Sequence, residues 1–256
     1  MEIILYHFRT FFIVFSRVSG LFVATPVFAS QSIPMISKGT LAFFISLILY
    51  PIVNAHIPKT PDSMVSYLFL CGQEVLIGLI IGLTAAVIIQ IFQISAEFYS
   101  TQIGFGIMSV FDPLSENNIP LIGHFQALLG LMIFLLLSGD AFILMGLKDS
   151  FVLWETISIN NAESFYKIFF DIIHMVFIVS FQIGAPLMAT MFLISVASGL
   201  LSRAAPQMNI LIVELPIKIV IGLLSLAILM PIFFKLGGEV ITKIDYYIRV
   251  LVKVCG

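Results

Sequence analysis

Met175-Val-Phe-Ile-Val-Ser-Phe-Gln-Ile-Gly-Ala-Pro-Leu-Met-Ala-Thr-Met-Phe-Leu-Ile-Ser-Val-Ala-Ser-Gly-Leu-Leu-Ser202 runs 28 residues without a formal charge. It stops at Arg203-Ala-Ala-Pro206-Gln207-Met-Asn209. About 20 apolar residues cross the hydrocarbon core of a bilayer as a helix. No element of a soluble core needs so long an uncharged run. The stretch is long enough to span, and the Arg-Pro-Gln cluster is a polar stop that carries a helix breaker.

The rest of the composition agrees. Hydrophobic residues make up 60% of the chain and charged residues 10%, against about 25% charge in soluble domains. Mean hydropathy is +1.14. A soluble domain of 256 residues cannot cover its surface with so few charges, so the chain reads as an all-α integral membrane protein, a single domain over residues 1–256. The net charge of −2 is uninformative. No basic patch with interleaved aromatics occurs, so no nucleic-acid partner is expected and membrane lipid is. Cys71 and Cys255 form no CxxC or zinc spacing and read as two free thiols.

Arg17, the apolar Val18–Phe28 and Ala29-Ser30 together mimic a signal peptide. The region before them is itself apolar (Phe11-Phe12-Ile13-Val14-Phe15), and Pro26 lies near the supposed cut. A first membrane helix that begins near Thr10 and carries Arg17 fits better.

Six apolar segments follow: Thr10–Phe28, Thr40–Val53, Val65–Ile94, Leu121–Leu137, Ile172–Leu201 and Ile210–Phe234. The second is short and meets Pro51. The third and fifth exceed one span, which means tilt, a kink or helix outside the lipid. Pro186 marks the expected kink in the fifth. Asn54–Met64 carries turn signals at Pro58, Pro61 and Asp62. Ser138–Asp171 is the largest polar stretch, with room for an interfacial helix, and Lys235–Gly256 reads as a basic tail.

Six spans put both termini on one side. That side collects Arg9, Lys59, Lys148, Lys167, Lys235, Lys243, Arg249 and Lys253, and the other only Lys38 and Arg203. Cytoplasmic flanks carry the basic excess, so both termini are expected in the cytoplasm. No internal repeat is visible, which leaves an inverted-repeat secondary transporter without support.

Charges inside apolar segments are costly and are functional candidates for that reason. They are Arg17, Glu74, Glu214 and Lys218. Glu214 and Lys218 stand at i, i+4 in the favourable order for an ion pair. They neutralise each other on insertion or relay protons, and Pro216 between them leaves their helix geometry open. Glu74 pairs with Arg17 from another segment, snorkels to water or carries a proton, and sequence leaves the three open. Enzyme motifs are absent: no HExxH, GxSxG or phosphate-binding glycine loop occurs, and His7, His56, His124 and His174 stand singly. No catalytic activity, metal or cofactor is expected.

Glu97–Pro120 contains no Lys or Arg and holds Gln102-Ile-Gly104-Phe105-Gly106-Ile-Met108-Ser-Val-Phe111-Asp112-Pro113. Its glycines lower helix stability by about 1 kcal/mol each. Apolar, non-helical backbone at membrane depth is tolerated only inside protein or lining a cavity. It is a packing loop, or a gate in a pore that passes something large.

Three ordered motifs carry a family resemblance across essentially the whole chain. Gly199-Leu-Leu-Ser-Arg203-Ala-Ala-Pro206-Gln207-Met-Asn209, followed by Pro216, resembles the signature turn of the flagellar biosynthetic protein FliR family, the R-type subunits of the type III export gate. Glu97 through Gln102-Ile-Gly104 and Phe111-Asp112-Pro113-Leu-Ser115 to Pro120 resembles a second family motif, and Arg17, Pro26, Ile33-Pro34 and Lys38 a third. The injectisome T-type branch tends to read Gln-Arg-Gly where this chain has Gln102-Ile103-Gly104, the flagellar form.

The resemblance implies a non-enzymatic subunit of the bacterial inner membrane at the flagellar basal body. It implies P-type and Q-type subunits as direct neighbours, A-type and B-type export components around them, and unfolded flagellar subunits as cargo. The pore plug would fall on Gly104, Phe105, Gly106, Met108, Phe111, Asp112 and Pro113. Bent helical hairpins in a helical assembly, and not a plain transmembrane bundle, are the implied architecture. Glu214 with Lys218 is a departure, being more charged than the family's usual stretch around that proline.

Overall fold

A computed structural model describes residues 2–29, 33–54, 57, 61, 63–104, 121–153, 162–207 and 209–255. Every element among them is a helix. In chain order they are α1 (Glu2–Ala24), α2 (Pro26–Ala29), α3 (Met35–Val53), α4 (Met64–Ile89), α5 (Ile91–Ile103), α6 (Leu121–Leu136), α7 (Gly139–Leu153), α8 (Ala162–Ala204) and α9 (Ile210–Cys255). By length and apolarity five stretches can cross a bilayer, or six if α6 and α7, broken at Leu137-Ser138, count as one span. The chain is an all-α integral membrane protein.

Several helices outrun the apolar segments, although α1 stops at Ala24 inside Thr10–Phe28 and the Val65–Ile94 run breaks at Gln90 between α4 and α5. α1 starts at Glu2 and not near Thr10, and α3 starts at Met35 and not at Thr40. Hydropathy marks where lipid covers a helix, not where its hydrogen bonds begin. α5 carries helix through Ile103, so the first part of Glu97–Pro120 is helical. Gly104 then ends it with φ 101°, a left-handed position where glycine avoids the Cβ penalty. The polar Ser138–Asp171 stretch holds α7 and the start of α8. The expected basic tail is no tail: α9 continues to Cys255. Its buried Val240, Ile241, Ile244, Ile248, Leu251 and Val252 fall on one helical stripe. α8 has 43 residues and α9 has 46. At 1.5 Å per residue their contours are about twice the ~30 Å hydrocarbon thickness. Part of each helix therefore lies beyond the lipid core or runs obliquely through it.

The described residues form two compact units. The first takes residues 1–88, 138–173 and 241–256. In it α1 buries Ile13, Val14, Arg17, Val18 and Leu21, and α4 buries Leu70, Glu74, Ile77, Ile81 and Ile88. Both are single stripes at helical spacing, and each carries one charge. These helices touch through glycines. A side chain on Gly20 would strike the Val75 carbonyl, one on Gly78 the Arg17 carbonyl, and one on Gly82 the Leu21 carbonyl and the Ala24 side chain. Gly78-Leu-Ile-Ile-Gly82 is the small-xxx-small pattern that lets membrane helices approach backbone to backbone. On the other side of α1, an aromatic set of Phe11, Phe15, Phe43 and Tyr50 joins it to α3, with His7 Nδ1 2.6 Å from the Tyr50 hydroxyl.

The second unit takes residues 89–137 and 174–240. α5 packs on α6 around a buried polar relay. Tyr99 donates to the Gln126 carbonyl oxygen. Gln126 Nε2 donates to Ser95 Oγ at 3.0 Å, and Ser95 Oγ donates to the Phe92 carbonyl at 2.7 Å. Ser180 on α8 donates to the Ile91 carbonyl at 3.1 Å. Hydrogen bonds between membrane helices average about 0.6 kcal/mol, with about 1.7 as the observed ceiling. Tyr99→Phe strands the Gln126 oxygen, so a loss of about 1–1.7 kcal/mol is expected. It would register as a lower thermal midpoint in detergent. Adding Gln126→Leu should recover most of the loss, and no recovery would refute the relay as the cause.

Candidate functional site

The buried charges of the first unit meet at one point. Arg17 Nε lies 2.5 Å from Glu74 Oε2, and each side chain is 1% exposed. Helical spacing brings this about. Arg17 lies three residues before Gly20 on α1, and Glu74 four before Gly78 on α4, so both charges sit one turn from the glycines that draw the backbones together. Arg17 Nη1 donates to Ser150 Oγ of α7 at 3.0 Å, and Ser150 passes its own proton to the Leu147 carbonyl at 2.6 Å. The Phe151 ring centroid lies 4.0 Å from the guanidinium carbon, within cation–π range. Glu74 Oε1 has no hydrogen-bond partner among the described residues. The cluster ties three helices, α1, α4 and α7, through one guanidinium. Its chemistry is charge neutralisation and fixation.

Of the openings left for Glu74, the structure places it in a pair and not at a water boundary. Ser150 and Phe151 are beyond sequence reasoning, since the Arg17–Ser150 bond joins residues 133 apart. The Gly78–Gly82 pattern was available and marks the crossing that makes the pair possible.

Glu214 and Lys218 also pair, at 2.6 Å, with side chains 18% and 14% exposed. α9 is helical through Pro216, so their i, i+4 geometry is preserved despite the proline. Between them Leu215 packs against Gly104, where an added Cβ would come within 2.7 Å of its Cδ2. Gly104 is thus fixed twice, by its left-handed φ and by space. Arg203 occupies the last turn of α8, exposed, where its charge suits the free carbonyls of the helix end. Pro206 and Gln207 form the turn before α9. From the third motif, Lys38 Nζ donates to the Ala29 carbonyl at 3.0 Å and closes the connection between α2 and α3. Phe105, Gly106, Met108, Phe111, Asp112 and Pro113 lie outside the described residues.

At the end of α9, Arg249 pairs with Asp245 at 2.9 Å and reaches Asp149 of α7 at 3.3 Å. These groups are a quarter to half exposed, and such surface pairs contribute little to stability.

Residues 8–244 match the family described as bacterial export proteins, family 1. The flagellar biosynthetic protein FliR of Bacillus subtilis (strain 168) is 31% identical over 255 residues, covering 97% of this chain and 96% of that protein. The proteins of the same name from Pectobacterium carotovorum and Escherichia coli (strain K12) are 28% and 26% identical, over 87% and 84% of this chain and 84% and 82% of theirs. With a family match that runs from the first spanning stretch into the last and takes in the three ordered motifs, the chain belongs to bacterial export proteins, family 1.

Proposed function

We propose that this chain is a structural and gating subunit of the flagellar type III protein export channel. It would stand in the bacterial inner membrane at the base of the flagellum and pass unfolded flagellar subunits. The observation that carries this is the near full-length similarity to proteins named flagellar biosynthetic protein FliR. Two features of the molecule support it. α8 and α9 are too long for a plain transmembrane bundle. Apolar side chains are exposed over much of α3, α8 and α9, as for helices that meet lipid or neighbouring subunits.

The neighbours implied are P-type and Q-type gate subunits, with A-type and B-type components beyond them. Purification from solubilised membranes tests this, with hydrophobic P-type and Q-type proteins as the expected companions. A monodisperse, thermostable monomer that loses nothing on their removal contradicts it. The basic-residue bias of the flanks puts both termini in the cytoplasm if the chain crosses six times. The role is non-catalytic. Gln102-Ile103-Gly104 and the names of the relatives favour the flagellar over the injectisome branch.

The gating role rests on the Gly104–Pro113 stretch. A pore wide enough for an unfolded chain must be closed at rest, and apolar constrictions close by dewetting. Deletion of residues 104–111 is expected to leave the complex assembled while small ions leak through the membrane. Conductance or small-solute sensitivity reads this directly. Unchanged permeability in an assembled complex removes the gating role and leaves a packing loop.

A further inference from the structure

We propose that a groove between the N-terminal parts of α1 and α4 binds one anionic phospholipid, its phosphate at Arg9 and an acyl chain along Phe8, Phe12 and Leu68. The groove has a volume of about 470 Å³ and also takes in Tyr67 and, at its inner end, Cys71. That is within the range of about 300–1,000 Å³ typical of ligand sites. Its walls are mainly apolar, with Arg9 as the charged side chain among them.

The charge at its mouth selects the occupant. Arg9 is half-buried, and among the described residues no carboxylate pairs with it. Arg17 and Lys218 are each matched to a carboxylate, and the half-buried Lys38 donates to the Ala29 carbonyl. A half-buried guanidinium beside hydrocarbon draws an anion. Arg9 lies eight residues, about 12 Å, along α1 from the buried Arg17. It is five residues inside the start of the apolar span at Ile4, within snorkelling reach of the headgroup layer. The Tyr67 hydroxyl donates to the Arg9 carbonyl at 2.9 Å, which joins α4 to α1 at this level and fixes the backbone that carries the charge. A cation at headgroup depth above an apolar trough matches a phosphodiester with its acyl chain. Basic pockets between membrane helices take anionic headgroups in this way.

Cys71 makes the site readable. The full chain, purified with its companion subunits and carrying Cys255→Ser, is placed in vesicles of phosphatidylcholine alone or with one third phosphatidylglycerol. Alkylation of Cys71 by N-ethylmaleimide is then timed. Phosphatidylglycerol is expected to slow the reaction about fivefold, the effect of one basic residue at an anionic surface. Arg9→Gln should abolish the difference and Arg9→Lys should keep most of it. Helical circular dichroism and companion subunits serve as controls for folding. Asp62, beside two groove residues in sequence, is the rival counter-ion, and Asp62→Asn should leave the lipid effect in place. Three results overturn the proposal: protection that persists in Arg9→Gln, equal rates in both vesicles, or loss of the effect in Asp62→Asn. Equal slow rates in both vesicles would instead assign the groove to a partner helix.

Discussion

Glu74→Ala is expected to remove about 3–5 kcal/mol of stability, enough to deplete the protein from the membrane. The substitution leaves the Arg17 guanidinium, 1% exposed, without the carboxylate 2.5 Å from it. Ser150 and the Phe151 ring remain beside it, but neither neutralises its charge. Arg17→Ala should do comparable harm from the other side, since it leaves a buried carboxylate that already has one oxygen without a hydrogen bond. The pair as a whole is a different matter. Replacing both charges by apolar side chains of similar volume, as in Arg17→Met with Glu74→Leu, is expected to recover most of the loss, because taking two charges out of water offsets much of their attraction. The check is a double-mutant cycle read by membrane abundance and thermal midpoint in detergent. If either single variant behaves like the parent, the cluster does not hold α1, α4 and α7 together.

Gly78→Ala is the second large effect, and its contrast with Gly72→Ala is the informative part. A Cβ on Gly78 meets the backbone carbonyl of Arg17, which cannot rotate aside, so α1 and α4 must part. The expected cost is about 3 kcal/mol, the upper end for overpacking. It should also disturb the Arg17–Glu74 pair one turn away. A Cβ on Gly72 meets nothing within 4 Å. Alanine there should be neutral or stabilising by up to about 1 kcal/mol, since alanine is the better helix former. Side-by-side thermal midpoints of the two variants decide it. Equal values would mean that α1 and α4 do not cross through these glycines.

The class of the fold was legible because it follows from a property that accumulates along the chain. Met175–Ser202 shows uncharged length in any window, and lipid permits little besides a helix for such a run. Helix ends were less legible. The helix of Glu2–Phe8 lies before the apolar signal begins, and in residues 235–255 basic residues read as a tail although the 3.6-residue stripe of Val240, Ile244, Ile248 and Leu251 continues. Arg17 and Glu74 could each be singled out, because an intramembrane charge is conspicuous. That they meet could only be raised as an option, since the meeting depends on the crossing set by Gly20, Gly78 and Gly82. The Tyr99–Gln126–Ser95 relay was not legible at all. Tyr, Gln and Ser are ordinary in sequence and become a feature only when two helices bury them together.

The central claim is that flagellar subunits leave the cell through an apparatus that needs this chain. The most direct measurement is the amount of flagellar subunit protein in the medium of the source bacterium after deletion of the gene. The expected result is none, with export restored by a plasmid-borne parental copy and not by Gly78→Val, whose larger side chain worsens the clash with the Arg17 carbonyl. Export at the parental level from the deletion strain would contradict the claim.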